Sequence, residues 1–244
     1  MTTGVLLIFV AVYLGMMLGR IPGLALDRTG IALLGAIAMV ALGAMSPAAA
    51  WKAIDVPTMG LLFGLMVVSA QFRLGGFYTA VTRRIATLDL SPARLLLIVV
   101  LVSAGLSALL CNDIICLAMA PLLLEACGHR KLDPKPFLLG LACASNVGSA
   151  AMLIGNPQNM LIGQRLNLSF AGYLADALVP VLIGLLLTWL ILVWQTRGRW
   201  HDDRILPDAI APAFNAWQTA KGAVVLAVLV ALFLFAPVPR EIVA

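Results

Sequence analysis

Charge is scarce in this chain, with Asp, Glu, Lys and Arg making up 11% of its 244 residues. A soluble domain carries about 25%, so water does not solvate most of this surface. Aromatic residues are also few, at 7%, and no ten-residue segments of alternating polarity occur, which argues against an outer-membrane barrel. There is no HExxH, no GxSxG, no Walker A loop and no Cys/His pair at depth. Those absences speak against metalloprotease, serine-hydrolase and ATP-driven chemistry, so the chain is not read as an enzyme and no cofactor is expected. The four cysteines (Cys111, Cys116, Cys127 and Cys143) lie in apolar segments without zinc-like spacing. They read as small packing residues rather than a disulfide or metal framework. No Lys or Arg precedes the first apolar run, so a cleaved signal peptide is not expected.

What the sequence does have is apolar length: 62% hydrophobic residues and a mean hydropathy of +1.05. Backbone groups in lipid must bond within their own segment, which makes the chain an all-α polytopic membrane protein. A spanning helix needs about 20 apolar residues. Candidate spans are Gly4–Gly19, Thr29–Met45, Val56–Phe72, a long region Leu95–Cys127, then Phe137–Ile162, Phe170–Trp194 and Ala220–Phe235. The shorter stretch Gly75–Leu88 carries Arg83 and Arg84 and reads as an amphipathic helix in the interface. The formal charge of +5 is spread over short connections and forms no patch, so the partner is the lipid bilayer and not nucleic acid.

Leu95–Cys127 is too long for one span and too short for two with a turn. Near its middle sits Cys111-Asn112-Asp113, polar or polarisable at membrane depth. A re-entrant hairpin over about 93–128, two half-length helices meeting at a polar tip, fits both facts. Topology supports it. With a hairpin, Arg20, Arg28, Arg73, Arg83, Arg84, Arg94, Arg130, Lys131, Lys135, Arg197, Arg199, Arg204 and Lys221 fall on one side. Only Lys52, Arg165 and Arg240 fall on the other. The first side is then cytoplasmic, and the chain is a multi-pass protein of the cytoplasmic membrane. A single span would dissolve this bias.

The next span, about 136–163, reads FLLGLACASNVGSAAMLIGNPQNMLIG and is interrupted twice. Ser145-Asn146-Val147-Gly148-Ser149 is one interruption and Gly155-Asn156-Pro157-Gln158-Asn159 the other. Gly and Pro weaken helices, and Asn and Ser compete for backbone bonds. Transporters use such broken helices to hold substrate and coupling ions near the midplane.

SALLCND…PLLLEA followed by LACASNVGSAAMLIGNPQNMLIG resembles the ion transporter superfamily of arsenite permeases, NhaD-type sodium/proton antiporters and divalent-anion/sodium symporters. The resemblance covers Ser91 to Gln164 and reaches the flanking helices by layout. It implies two inverted repeats, each with a hairpin and a broken helix, and a site between the hairpin tips. Residues 1–200 would form the first repeat, 201–218 a cytoplasmic loop, and 219–244 the first helix of an incomplete second repeat. Pro237-Val238-Pro239-Arg240-Glu241 weakly resembles Arg20-Ile21-Pro22, and a chain about twice as long is expected for the complete transporter.

The implied function is secondary active transport of a small inorganic or organic ion with sodium or proton coupling, in the manner of the arsenite permeases. A sodium/proton antiporter of the same fold and a non-transporting subunit that needs a second half stay open. The implied partners are the bilayer, a small ion or solute, and a second copy in a homodimer. In the sodium-coupled symporters the tip reads Ser-Asn-Thr, with a serine one turn earlier on sodium. The corresponding positions here are Ser107, Cys111, Asn112 and Asp113, and the i to i+4 spacing of Ser107 and Cys111 places both on one helical face. Cys111 replaces a hydroxyl with a soft sulfur, and Asp113 replaces threonine with a carboxylate that repels an anion unless neutralised. The Asn-Asp pair looks more like the arsenite and antiporter branches. From the broken helix, the implied ligands are Ser145, Asn146, Val147, Gly148, Ser149, Gly155, Asn156, Pro157 and Asn159, and no metal beyond sodium is implied.

Plainer readings compete. Asp113 as a helix cap is worth about 0.5–2 kcal/mol, against at least about 2.5 kcal/mol for an acid at depth, so capping alone barely offsets the cost. Asn112 and Asn146 also serve as turn formers, and Gly155-Asn156-Pro157 as a bend. His129 and His201 sit beside Arg and Lys in loops and read as solvated.

Overall fold

The computed structural model describes residues 2–19, 26–202 and 212–235, and in them the chain folds into eleven α-helices and no β-strand. It is an all-α polytopic membrane protein. Arg20, Ile21, Pro22, Arg204 and the 237–241 stretch lie outside the described residues. Four described helices are long and apolar enough to cross a membrane: Val56–Leu74, Pro92–Leu109, Phe170–Thr196 and Ala216–Phe235.

The chain divides into two units, Met1–Val56 and Pro57–Ala244. The first holds α1 (Thr2–Leu18), α2 (Arg28–Ala41) and α3 (Pro47–Ala53). Gly35 of α2 gives Val12 of α1 room to pack. Asp27 caps α2, accepting from Gly30 N at 2.8 Å. The helix stops at Ala41, short of the expected Met45, and Gly43 follows in the left-handed region at φ 67°. Beyond it, Ser46 accepts from Ala49 N at 3.1 Å and Pro47 supplies a preformed first turn. That pair starts α3, which the apolar pattern did not suggest.

The second unit holds α4 (Val56–Leu74), α5 (Phe77–Ala86), α6 (Pro92–Leu109), α7 (Asn112–His129), α8 (Pro134–Ser149), α9 (Pro157–Arg165), α10 (Phe170–Thr196) and α11 (Ala216–Phe235). At its centre α8 packs on α6, α7 and α10. Glycines make this close approach feasible: Gly140 lies against Leu96, and Gly148 against the backbone of Ala104. Leu96, Ile115, Met119, Phe137 and Ala144 fill the interior. By contrast, Leu182, Ile183, Leu186 and Leu187 of α10 are exposed, as suits a helix solvated by lipid.

Leu95–Cys127 is two helices, α6 and α7, joined where Leu110 goes extended at φ −124°, ψ 155°. The outer ends of the pair meet. Arg130, just after α7, donates to the carbonyls of Leu88 at 2.9 Å, Leu90 at 3.0 Å and Ala86 at 3.3 Å, all just before α6. Arg83 and Glu125 add an ion pair at 3.1 Å. The amphipathic α5 packs on α7, burying Tyr78, Thr79, Thr82 and Ile85 while Arg83 and Arg84 stay exposed.

The connection after α10 joins the same end. Asp133 N donates to Trp200 O at 2.8 Å and Asp202 N to Lys131 O at 3.1 Å. Near the start of α11, Asn215 N donates to Gly75 O at 2.9 Å. The connections after α7 and after α10 are therefore neighbours in space.

Candidate functional site

Where α6 gives way to α7, the chain turns through Leu110 and Cys111 directly against the break between α8 and α9. Asn112 N lies 3.4 Å from Gly155 O, and Asn112 Nδ2 donates to Asn146 Oδ1 at 3.2 Å. The two polar segments, far apart in sequence, form one cluster.

The cluster is held from within. Asn156 Oδ1 caps α9 by accepting from Asn159 N at 2.8 Å, while its Nδ2 donates to Ser149 Oγ at 3.1 Å. Asn159 Nδ2 reaches back to the carbonyls of Met152 at 3.2 Å and Ser149 at 3.3 Å. Ser149 O is a carbonyl that the end of α8 leaves without a helical partner. Pro157 opens α9, where its missing N–H costs nothing. Any side chain at Gly155 would strike the backbone of Ser149, so glycine is required for the tight return.

The first expected interruption is not a break. Ser145–Ser149 is the last part of α8, because its polar side chains bond back along the same helix. Ser145 Oγ and Asn146 Nδ2 donate to Ala142 O at 3.1 and 2.8 Å, and Ser149 Oγ donates to Asn146 O at 2.9 Å. The backbone leaves the helix only over residues 150–156.

Ser107 and Cys111 do not share one helical face as their spacing suggested, since α6 ends at Leu109 and the extended Leu110 separates them. Both are buried, and Ser107 Oγ has no hydrogen-bond partner among the described residues. Cys111 occupies the N-cap position of α7 without a side-chain cap bond, though its Sγ lies 3.9 Å from Asn112 Oδ1. Asp113 is therefore not the cap. It stands in the first turn of α7 with its side chain exposed, where the helix dipole favours an acid.

Two of the expected ligands also pack against neighbouring helices: Val147 faces Gly184 of α10, and Gly148 lies against Ala104 of α6. The cluster itself gathers Asn112, Ser145, Asn146, Ser149, Gly155, Asn156 and Asn159, with Pro157 at its edge. Sequence reasoning missed Cys116, whose Sγ lies 2.9 Å from Ser145 Oγ. Its four-residue distance from Asn112 on α7 was the available signal. Arg130 was counted only as a loop charge, although it ties the ends of the α6–α7 pair. Among the described residues no group of His, Cys, Asp or Glu could hold a metal ion.

Helix ends dominate the electrostatics. The N-termini of α7 and α9 and the C-terminus of α8 meet here, and each brings the partial charge of a helix end. With amide side chains that donate and accept, the cluster suits a small ion better than bond-making chemistry.

The chain is similar to known transporters. Residues 3–244 match the family model described as CitMHS, citrate transporter. The chain is 36% identical over 191 residues to the silicon efflux transporter LSI3 of Oryza sativa subsp. japonica, covering 78% of this chain and 39% of that protein. It is 29% identical over 170 residues to the transporter named arsB of Dictyostelium discoideum, covering 70% of this chain and 30% of that protein. The inner membrane protein YbiR of Escherichia coli is 34% identical over 142 residues, covering 58% and 38% respectively. The chain thus spans about two fifths or less of the length of these curated relatives. The family is one of transporters rather than enzymes, and this chain belongs to it: it is a member of the CitMHS citrate transporter family.

Proposed function

We propose that the chain supplies one half of the ion site of a secondary active transporter, which moves a small ion across the cytoplasmic membrane with proton or sodium coupling. The observation that carries this reading is the contact of Asn112 with both Asn146 and Gly155, at 3.2 and 3.4 Å. It joins the turn between α6 and α7 to the broken α8–α9 segment. In this reading α6 and α7 are a re-entrant hairpin, their outer ends tied by Arg130 at the cytoplasmic face, and Cys111–Asp113 is the tip at membrane depth. Non-helical backbone at that depth is tolerated where it lines a protein cavity, and broken helix ends are where transporters bind ions. Asn112, Asn146, Ser149 and Asn156 then contact the solute or order the backbone that does, and Asp113 couples the fluxes.

The relatives named for silicon efflux and arsB favour a small oxyanion or neutral oxyacid over a bulky organic anion. The test is solute-driven pH or sodium flux in proteoliposomes of the complete transporter, both halves present, screened across arsenite, silicic acid, citrate, sulfate and sodium. A coupled response to one of them that is lost in Asn112→Ala supports the reading. No response to any of them sinks it.

A further inference from the structure

Away from the polar cluster, at the basic end of the larger unit, a cavity of about 340 Å³ opens between the start of α8 and the end of α10. Lys135, Gln195 and Arg199 line it. All three are exposed, and none makes a side-chain hydrogen bond or ion pair with another described residue. The other polar lining groups are engaged. Asp133 Oδ1 caps α8 by accepting from Lys135 N at 3.1 Å, and Thr196 Oγ1 donates to Leu192 O at 2.6 Å. His201 Nδ1 lies 3.3 Å from Lys131 O. The rest of the wall is apolar, including Leu192 and the exposed Leu139. Ile191 and Leu187, one and two turns back from Gln195 along α10, are exposed as well. The cavity is therefore cationic at the membrane surface and continues into lipid-facing apolar surface.

We propose that this cavity binds the phosphate of an anionic phospholipid, held by Lys135 and Arg199 with Gln195 donating to headgroup oxygens. An acyl chain lies along Leu139, Ile191 and Leu187. A free phosphate would satisfy the two cations equally, but it would leave the apolar rim unused. Basic pockets between spanning helices at this depth are suited to such headgroups. The lipid joins α10 to the start of α8, whose far end carries Asn146 and Ser149.

The test uses the purified chain in neutral detergent, with lipid retention read by native mass spectrometry and stability by melting temperature. Phosphatidylglycerol is expected to be retained and to raise the melting temperature, whereas phosphatidylcholine and inorganic phosphate are not. The double substitution Lys135→Gln/Arg199→Gln should weaken phosphatidylglycerol binding roughly thirtyfold, at about a fivefold loss per cation. Its melting temperature without lipid should be unchanged, because both side chains are exposed. Arg84→Gln, an exposed cation outside the cavity, should bind lipid like the parent. Equal retention of phosphatidylcholine, or unchanged binding in the double variant, overturns the proposal. So does inorganic phosphate giving the full stabilisation, which would assign the cavity to a free anion.

Discussion

Asn112 and Asn146 stand 34 positions apart in sequence and share one amide–amide hydrogen bond of 3.2 Å, with Asn112 buried and Asn146 exposed. The bond fixes the turn between α6 and α7 against the last turns of α8, and Asn146 is fixed in turn by its own donation to Ala142 O at 2.8 Å. Removing either amide leaves the other side chain with an unmet group. Asn112→Ala and Asn146→Ala should therefore each lower the melting temperature, and the double variant should cost less than the sum. The expected coupling is about 0.5–3 kcal/mol, read from a double-mutant cycle of thermal unfolding. Strict additivity would mean the bond carries nothing.

Arg130 makes three bonds to the carbonyls preceding α6. A guanidinium forks across several acceptors, whereas an ammonium offers one compact charge. Arg130→Gln should destabilise the protein by about 1.5–3 kcal/mol, the range for hydrogen bonds to a charged group, and Arg130→Lys should recover only part of that. Limited proteolysis provides a second readout, with faster cleavage around residues 88–91 expected in the glutamine variant.

Gly155→Ala places a Cβ into the backbone of Ser149, while Gly105 on α6 has nothing within 4 Å of the same position. Overpacking of this kind costs about 1–3 kcal/mol. Substituting an open helical glycine instead gains up to about 1 kcal/mol of helix propensity. Opposite shifts in melting temperature are expected for Gly155→Ala and Gly105→Ala. Equal shifts would show that the return at Gly155 is not tight.

The legible parts of the fold were those set by solvent. Apolar length, the polar Cys111-Asn112-Asp113 at its middle and the sorting of basic loops together placed the α6–α7 turn. The break at Gly155-Asn156-Pro157 was legible because proline and a capping asparagine leave a helix few options. Ser145–Ser149 misled because these side chains donate to carbonyls three and four residues back along the same helix, which leaves the helical backbone intact. Val147 and Gly148 pack against α10 and α6, contacts that the sequence alone does not name. The role of Arg130 depends on where loops meet, which composition does not report.

Orientation is open to chemical labelling. The charge division puts His129 and Gly198 on the cytoplasmic side and Leu166 outside, and all three are exposed. Cys143 is the exposed native thiol among the four free cysteines, so the background is Cys143→Ala. Single cysteines at His129 and Gly198 should react with an impermeant maleimide only from the cytoplasm, and one at Leu166 only from outside. Labelling of His129→Cys and Leu166→Cys from the same side would remove the hairpin topology.

Asp113 is the acid nearest the turn, in the first turn of α7 and one residue from Asn112. Its side chain is exposed, and it is not the cap, a position that Cys111 holds. The structural reading that competed with function has therefore lost its main support, and what remains is a favourable position beside the helix dipole, worth about 0.3–1 kcal/mol. A carboxyl at membrane depth costs more than that when ionised and uncompensated. In the proposed function, that charge is what couples two fluxes. Asp113→Asn keeps the size and the hydrogen-bonding capacity but removes the charge. In proteoliposomes of the complete transporter, the variant should melt within about 1 kcal/mol of the parent and lose the response to an imposed proton or sodium gradient. Unchanged coupling in a well-folded Asp113→Asn would reduce the residue to a dipole partner and move the coupling step elsewhere.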